Sequence, residues 1–274
     1  MANYPFKYIP LDNAGKVFPG QNSKKWAHVY RMTVQLKEEI DPALLKTALA
    51  QTLNRLPTFK VKMHNGFFQN YYERNELECP VNPDIKNPCY RINYKENNGY
   101  LIRVYYHSCR ISIDYYHAIC DGYGAAVFIS TLTGQYLRLK GYSISYNQFV
   151  LDVTENPTDE EIEDPYEKYA TSKKSAKLLE SPAYHKKGNQ LPLHMCNYTS
   201  ATMSFKELHT LSKSYSVTVT ELLAAILLDI HYSIQLKEGK SKKDVSIQIP
   251  VNLRKAFPSE SVRNFVICLS VKMP

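Results

Sequence analysis

Hydrophobic residues recur at every second position along residues 28–36, with polar residues between them. This period of two predicts a strand with one buried face. Asp41 and Pro42 then supply an N-cap and a proline for a first helical turn, and apolar residues recur at helical spacing from Leu45 to Leu56. Pro57 ends this pattern. The sequence therefore predicts a strand that leads directly into a helix.

A hairpin is predicted after this helix. Apolar residues alternate again over 59–63, and Asn65-Gly66 is the dipeptide that best suits a tight hairpin turn. Residues 67–72 can return as the antiparallel partner. Residues 73–99 are rich in asparagine, proline and charge, which predicts a surface loop.

Two further strands are predicted at 100–106 and 111–116, around a short turn. Residues 125–139 carry apolar side chains at helical intervals and end near Gly141, a residue suited to a C-terminal cap. The segment between the second strand and this helix contains His117, so that histidine is expected at a junction of strand and helix.

The composition changes after about residue 152, where an acidic block is followed by a lysine-rich block with prolines. Residues 151–195 are therefore predicted to be a crossover linker. It follows an N-terminal subdomain at 1–150 and precedes residues 196–274, which are predicted to be the start of a second, similar subdomain. Thr218 and Glu221 form a capping-box pattern. The remaining predicted elements of the second subdomain are a strand near 199–204, helices at 205–215 and from 218 to about 234, and strands at 245–251 and 264–271. Alternating strands and helices predict an α/β fold with mixed sheets.

Composition narrows the class of protein. With 274 residues and 44% hydrophobic content, the chain can bury a substantial core. No window approaches the run of about 18 apolar residues expected of a membrane span, because Asp229 interrupts the longest candidate, and the N-terminus lacks the layout of a signal peptide. The six cysteines form no CxxC pair. The sequence therefore predicts a cytoplasmic protein with reduced thiols and no membrane span.

The net charge of +8 could favour an anionic partner, whether nucleic acid, a phosphorylated cofactor or an acidic protein surface. The basic clusters at 173–177 and 240–243 are short and lack the interleaved aromatic residues of a nucleic-acid platform. They are expected to be solvated, and no nucleic-acid partner is predicted.

His117 begins the sequence His-Ala-Ile-Cys-Asp-Gly, whose last two residues are Asp121 and Gly122. A histidine that removes a proton from a hydroxyl or amine must be neutral, oriented and accessible at the end of a rigid element. The preceding strand supplies the rigid element, and Gly122 and Gly124 would let the backbone turn sharply toward the next helix. His117 is therefore the candidate general base.

This pattern, HxxxDG between a strand and a helix, resembles that of the superfamily that contains chloramphenicol acetyltransferase, alcohol acetyltransferases, BAHD acyltransferases and the condensation domains of peptide synthetases. Residues 40–57 look like their first helix with its terminal RxP, 217–228 like their second-domain helix, and 249–254 like their VNxR strand. In general character the chain is most similar to bacterial alcohol acetyltransferase-like proteins. The resemblance implies an α/β two-layer sandwich of the chloramphenicol acetyltransferase type. Because the family members are longer, it also implies that the second domain is incomplete.

The resemblance also implies roles for the motif residues. His117 would be the general base, and Asp121 would be structural and paired with Arg254, the arginine of the VNxR segment. Gly122 would complete the structural motif. A buried carboxylate without a partner would be costly, and an arginine would fix the loop that carries His117. Acyl-coenzyme A is implied as a co-substrate; the cofactor-binding residues are unknown, and no permanently bound cofactor and no metal are expected.

The implied reaction is O- or N-acyl transfer from a thioester, acyl-coenzyme A, to a small-molecule alcohol or amine, with donor and acceptor meeting at His117. Two alternatives remain: a condensation-like enzyme that takes its acyl group from an acyl carrier protein, and a noncatalytic binding module on the same fold. Activity of this chain alone is left open. An incomplete second domain would also leave apolar sheet surface uncovered, which predicts self-association.

Simpler interpretations exist for individual residues. Asp121 could be the N-cap of the following helix, which is compatible with an arginine pair. His107 and His117 could be metal ligands, but no third ligand occurs at a recognisable spacing. Cys120 could be a nucleophile, yet a packing role is favoured because nothing nearby in the sequence would depress its pKa.

Overall fold

The computed structural model describes residues 6–23, 26–67, 69–85, 87–170, 182–186, 188–189, 191–192, 195, 197–239 and 243–273. The chain forms two compact units. Unit 1 comprises 1–171, 193–195 and 252–265, and unit 2 comprises 172–192, 196–251 and 266–274. Residues 252–265, which carry Arg254, therefore pack within unit 1. The lysine cluster at 173–177, most of that at 240–243, and Cys196 lie outside the described residues.

Unit 1 consists of two sheets with helices packed against them. Its strands are β1 (Tyr8–Pro10), β2 (Val29–Gln35), β3 (Val61–Asn65), β4 (Asn70–Arg74), β5 (Val81–Pro83), β6 (Ile102–His107) and β7 (Arg110–Tyr116). Its helices are α1 (Val17–Gln21), α2 (Pro42–Arg55), α3 (Gly122–Leu139), α4 (Asp159–Ile162) and α5 (Pro165–Tyr169). One sheet has the order β2-β7-β6-β5, in which β5 and β6 run parallel, and the other has the order β1-β4-β3. This arrangement confirms the predicted mixed α/β class.

Strand β7 lies inside the four-stranded sheet, and every residue from Ile111 to Tyr116 is buried. Its apolar face belongs to the main hydrophobic core. The opposite face buries Asp114, whose carboxylate accepts hydrogen bonds from Arg31 Nε and Arg103 Nη2, each at 2.7 Å. Because both neighbouring strands supply a cation, the carboxylate is compensated inside the sheet. The strand is thus a rigid support for the residue that follows it, His117.

Helix α2 begins and ends where the sequence predicts. The Asp41 side chain accepts a hydrogen bond from Ala43 N at 2.8 Å, and Pro42 lies in the first turn. The helix ends at Arg55, whose guanidinium donates to both carboxylate oxygens of Glu161 at 2.6 and 2.7 Å. The arginine of the RxP sequence therefore attaches the segment after residue 150 to the core of unit 1.

Three local predictions were wrong. The predicted hairpin forms, but Asn65 pairs with Asn70 and Gly66 N donates to the carbonyl oxygen of Gln69 at 3.2 Å, so Asn65-Gly66 belongs to the paired arm and not to the turn. The predicted loop at 73–99 contains β5, a strand of three residues that is stabilised by main-chain pairing with β6. Residues 199–204, predicted as a strand, form no strand with any other segment that the structure describes. Strand formation depends on the available pairing partner as well as on the local pattern, which is why β5 forms beside β6 although its own sequence does not indicate a strand.

Unit 2 contains α6 (Phe205–Ser214), α7 (Val219–Glu238), β8 (Val245–Asn252) and β9 (Val266–Met273), with β8 and β9 hydrogen-bonded to each other. The capping box is confirmed: Glu221 N donates to Thr218 Oγ1 at 3.2 Å, and Thr218 N donates to the Glu221 carboxylate at 2.7 Å. Exposed apolar side chains on α7 are Leu223, Ile226, Leu227, Ile230 and Leu236.

By length and composition alone, α7 could cross a membrane, and it is the one such helix among the described residues. This differs from the prediction of no membrane span. That prediction rested on Asp229, which interrupts the longest apolar run. The mean hydropathy of the helix is nevertheless high enough for a candidate membrane span.

Candidate active site

His117 directly follows β7 and continues its pairing with β2. Its N–H donates to the carbonyl oxygen of His28 at 2.7 Å, one residue beyond the pair Val29 and Tyr116. The imidazole is half-buried. Its Nδ1 is buried without a hydrogen-bond partner, whereas its Nε2 is not buried in this way. Nε2 is therefore the nitrogen that an incoming group can reach.

Two aromatic rings contact the His117 imidazole. The Phe18 ring stacks on it with centroids 4.7 Å apart and planes at 16°, and the Tyr30 ring lies at 4.9 Å and 58°. The Tyr30 hydroxyl lies 3.2 Å from the carbonyl oxygen of Cys120 and 3.0 Å from that of Asp121. Burial raises the pKa of Tyr30 well above its ordinary value, so this hydroxyl stays protonated and can donate. Tyr30 thereby contacts both the ring and the far end of the motif loop.

Asp121 is both a helix cap and an ion-pair partner. Its Oδ1 accepts hydrogen bonds from the N–H groups of Tyr123 and Gly124, both at 3.0 Å, in the first turn of α3. Its Oδ2 accepts from Arg254 Nη1 at 2.7 Å and from Phe265 N at 2.8 Å. The side chain is 1% exposed, and these four bonds occupy the acceptor sites of a carboxylate. The cap and the arginine pair that were considered for Asp121 are present together.

Arg254 joins the segment 252–265 to the motif loop. Besides its bond to Asp121, its Nη2 donates to the carbonyl oxygens of Ser261 at 2.7 Å and Arg263 at 2.6 Å. The guanidinium also lies over the Tyr123 ring, 4.4 Å from its centroid. All these groups belong to unit 1. The ion pair that the resemblance implies is therefore one part of a larger network.

The carbonyl oxygen of Ala118, directly after His117, is held by two side chains that are distant in sequence. Tyr72 Oη donates to it at 2.7 Å, and Asn264 Nδ2 donates to it at 3.2 Å. Asn264 also donates to Asp12 Oδ2 at 3.2 Å. Burial raises the pKa of Asp12, and the nearby Arg263 guanidinium opposes that shift. No sequence pattern identified Tyr72, Asn264 or Asp12, because only the folded chain brings them to the loop.

Comparison with known proteins identifies the fold. No protein family model matches the sequence, and no curated protein matches it. Polyketide synthase associated protein 5 from Mycobacterium tuberculosis has a similar structure, with a TM-score of 0.62, 15% sequence identity, and coverage of 96% of this chain and 66% of that one. A variant of the starter condensation domain of rhizomide synthetase in complex with C8-CoA gives 0.56 at 13% identity, covering 98% and 67%. The chain has the fold of condensation domains and CoA-dependent acyltransferases.

A third structure agrees with this assignment. A protein from F. sporotrichioides complexed with coenzyme A and T-2 has a TM-score of 0.54 at 13% identity, covering 97% of this chain and 69% of that one. The fold class predicted from the HxxxDG resemblance is thereby confirmed. The chain spans about two thirds of the length of these acyltransferase-fold structures.

Within this acyltransferase fold, Gly124 is required by space and Gly122 is not. A Cβ added at Gly124 would lie 1.9 Å from the carbonyl oxygen of Val262, whereas one added at Gly122 would meet only Met32 Cε at 3.9 Å. Both glycines lie in α3, and neither has a positive φ. The prediction that they permit a sharp turn is therefore wrong. Asp121 caps the helix at this turn, and Gly124 lets the segment 252–265 approach the helix.

Replacing Gly124 with alanine is expected to lower the free energy of unfolding by about 1–3 kcal/mol, because the methyl group meets a backbone carbonyl and the segment must move. Gly122→Ala is the matched control and is expected to be neutral or slightly stabilising, since alanine has the higher helix propensity. Denaturant titration of both variants measures the difference. Equal stability of the two would contradict the close approach of Val262 to α3.

Cys120 is buried, and burial raises the pKa of its thiol well above the ordinary value. Its Sγ lies 3.2 Å from the Tyr30 hydroxyl. A buried, protonated thiol is a poor nucleophile. The structure thus supports a packing role for Cys120.

His107 and His117 cannot share a metal ion. His107 ends β6 opposite Arg110, whereas His117 follows the other end of β7. At about 3.3 Å per residue along a strand, the two histidines are roughly 20 Å apart. Across the described parts of the chain, no group of three His, Cys, Asp or Glu side chains is placed to hold a metal ion.

Proposed function

We propose that this protein transfers an acyl group from a thioester, acyl-coenzyme A, to the hydroxyl or amine of a small-molecule acceptor. The observation that carries this proposal is the half-buried imidazole of His117, which follows a rigid strand in a chain with the acyltransferase fold. Its Nε2 is the accessible nitrogen. A neutral imidazole in this position suits a general base, which needs to be within hydrogen-bond reach of the proton it removes.

In the proposed reaction, His117 Nε2 takes the proton of the acceptor as the acceptor oxygen or nitrogen attacks the thioester carbon. A tetrahedral intermediate forms and collapses with cleavage of the carbon–sulfur bond. The proton on Nε2 then passes to the departing thiolate, which leaves as a thiol. The ring ends the cycle neutral, so no further acid or base is required.

Asp121 and Arg254 have a positioning role in this proposal. Asp121 uses its four acceptor sites on the α3 N-terminus, Arg254 and Phe265, and has none left for the imidazole or a substrate. Its contribution is to hold the end of the loop that begins at His117. A small displacement of a catalytic group has a large effect on rate, so this rigidity matters for turnover.

Two observations support coenzyme A as the carrier of the acyl group. Two similar structures were determined with C8-CoA and coenzyme A respectively. The net charge of +8 also favours a polyanionic substrate over a neutral one. Coenzyme A is proposed as a co-substrate that leaves after each cycle. The cytoplasmic location and the self-association inferred from the sequence stay predictions.

The test is thioester turnover by the full-length protein. Acetyl-CoA and octanoyl-CoA are supplied with a panel of alcohols and amines, thiol release is followed with a chromogenic reagent, and acylated products are identified by mass spectrometry. We expect acceptor-dependent thiol release with at least one free acyl-CoA. Release from an acyl-loaded carrier protein alone would instead favour the condensation-like alternative. Absence of turnover with every donor, in folded protein, would favour a noncatalytic module.

A further inference from the structure

A second histidine, His28, lies beside His117. Val29 pairs with Tyr116 at the end of the β2–β7 ladder, and the bond from His117 N to His28 O extends this register by one residue. Residues directly opposite in an antiparallel pair place their side chains on the same face of the sheet, with Cβ atoms about 4.5–5.5 Å apart. His28 and His117 are therefore opposed at the ends of neighbouring strands, and their side chains are expected on the same face of the sheet.

One phenyl ring contacts both imidazoles. The Phe18 centroid lies 4.7 Å from that of His117 and 5.2 Å from that of His28. The Trp26 ring adds an edge contact to His28 at 6.1 Å. The surroundings of the pair are thus mostly aromatic, so polar partners for the ring nitrogens are scarce.

Each of the two rings has one buried nitrogen without a hydrogen-bond partner: Nδ1 of His117 and Nε2 of His28. Buried polar atoms in proteins are nearly always paired, with protein groups or with ordered water. Two unpaired nitrogens on opposed residues are most simply explained by a shared partner.

Several other polar groups of the site already have hydrogen-bond partners. Both oxygens of Asp121 are used by α3, Arg254 and Phe265. The Tyr30 hydroxyl lies against the carbonyl oxygens at the end of the loop, and the Ala118 carbonyl accepts from Tyr72 and Asn264. The motif carboxylate therefore does not orient the His117 ring. His28 Nε2 is a buried, unpaired acceptor on the residue directly opposite His117.

We propose that His28 is a positioning residue for His117, with one water molecule that accepts the Nδ1–H of His117 and donates to Nε2 of His28. This inference rests on the proposed function, in which His117 is the base. Both histidines are then Nδ1–H tautomers, and the lone pair of His117 is on Nε2, where the acceptor arrives. When Nε2 takes the acceptor proton, the imidazolium donates a stronger, charge-assisted bond to the same water.

His28 must remain neutral to accept this bond. Burial lowers the pKa of His28, and the neighbouring His117 lowers it further. A free imidazole has a pKa of about 6.5, so a lowered value leaves His28 unprotonated at neutral pH. The other titratable group on β2 near the pair, Tyr30, stays neutral because burial raises its pKa. A neutral His28 adds no repulsion when His117 becomes charged.

The first measurement is the tautomer of His117 in the full-length protein labelled with ¹⁵N-histidine. Long-range ¹H–¹⁵N spectra distinguish the two tautomers, and loss of signals in His117→Ala assigns the resonances. We expect the Nδ1–H form at neutral pH in wild type, a shift toward the Nε2–H form in His28→Phe, and recovery in His28→Gln, whose amide oxygen can accept. A wild-type Nε2–H tautomer would overturn the proposal without any variant. An unchanged His117 spectrum in folded His28→Phe would also overturn it.

Turnover separates this inference from the proposed function. His28→Phe is expected to lower kcat by roughly 10- to 100-fold with the KM for acyl-CoA unchanged, and His28→Gln to restore part of the loss. If the His117 tautomer changes in His28→Phe and recovers in His28→Gln as expected, but wild type turns over no thioester, the proposed function fails and the histidine pairing stands. If wild type is active and His28→Phe alters neither kcat nor the His117 spectrum, the positioning role fails and the proposed function stands.

Discussion

An Arg254→Ala protein is expected to lose about 3–5 kcal/mol of unfolding free energy relative to wild type. The Asp121 side chain, 1% exposed, would lose its cation inside the protein. The carbonyl oxygens of Ser261 and Arg263 would lose a donor at the same time. An uncompensated buried charge costs more than the intact pair contributes, which is why removing one partner has so large an effect. The free energy of unfolding from a denaturant titration measures it.

Two further variants define what this result means. Arg254→Lys keeps the charge but lacks the planar fork that reaches Asp121 and the two carbonyls together, so an intermediate loss is expected. Arg110→Ala removes an exposed arginine at the start of β7 and should change stability by no more than about 0.5 kcal/mol. Equal losses in Arg254→Ala and Arg110→Ala would show that the network does not hold the His117 loop.

The parts of the fold that could be predicted from sequence are those with local causes. Asp41 and Pro42 start α2 through a cap and a restricted φ, and Thr218 and Glu221 start α7 through a reciprocal box. The loop after β7 could be located because the residues of the HxxxDG motif lie in one continuous stretch of the sequence. Arg254 required the family resemblance, since it is 133 residues from Asp121.

The remaining features depend on contacts between distant segments. His28 could be assigned to a strand, but only the register of β2 against β7 places it beside His117. Tyr72 and Asn264 reach the Ala118 carbonyl from separate parts of the chain. Gly124 is explained by the approach of Val262, which no local pattern encodes. Strand β5 was missed for the same reason, because its stability comes from pairing with β6.

Replacing His117 with alanine is expected to lower kcat/KM about 100-fold to 10,000-fold, the range associated with loss of a general base. The ring is half-buried and its nitrogens make no hydrogen bond to a described residue, so its removal should leave the fold intact. His107→Ala is the matched control. It removes an exposed histidine that lies roughly 20 Å from His117, as judged from a rise of about 3.3 Å per residue along β7. This variant should retain wild-type turnover.

The most direct test of His117 as the base is therefore the ratio of kcat/KM for acyl-CoA turnover between wild type and His117→Ala, measured on full-length proteins with the same thermal unfolding midpoint. The proposed mechanism predicts a ratio of about 100 to 10,000, with His107→Ala indistinguishable from wild type. Equal turnover by wild type and a folded His117→Ala protein would contradict it.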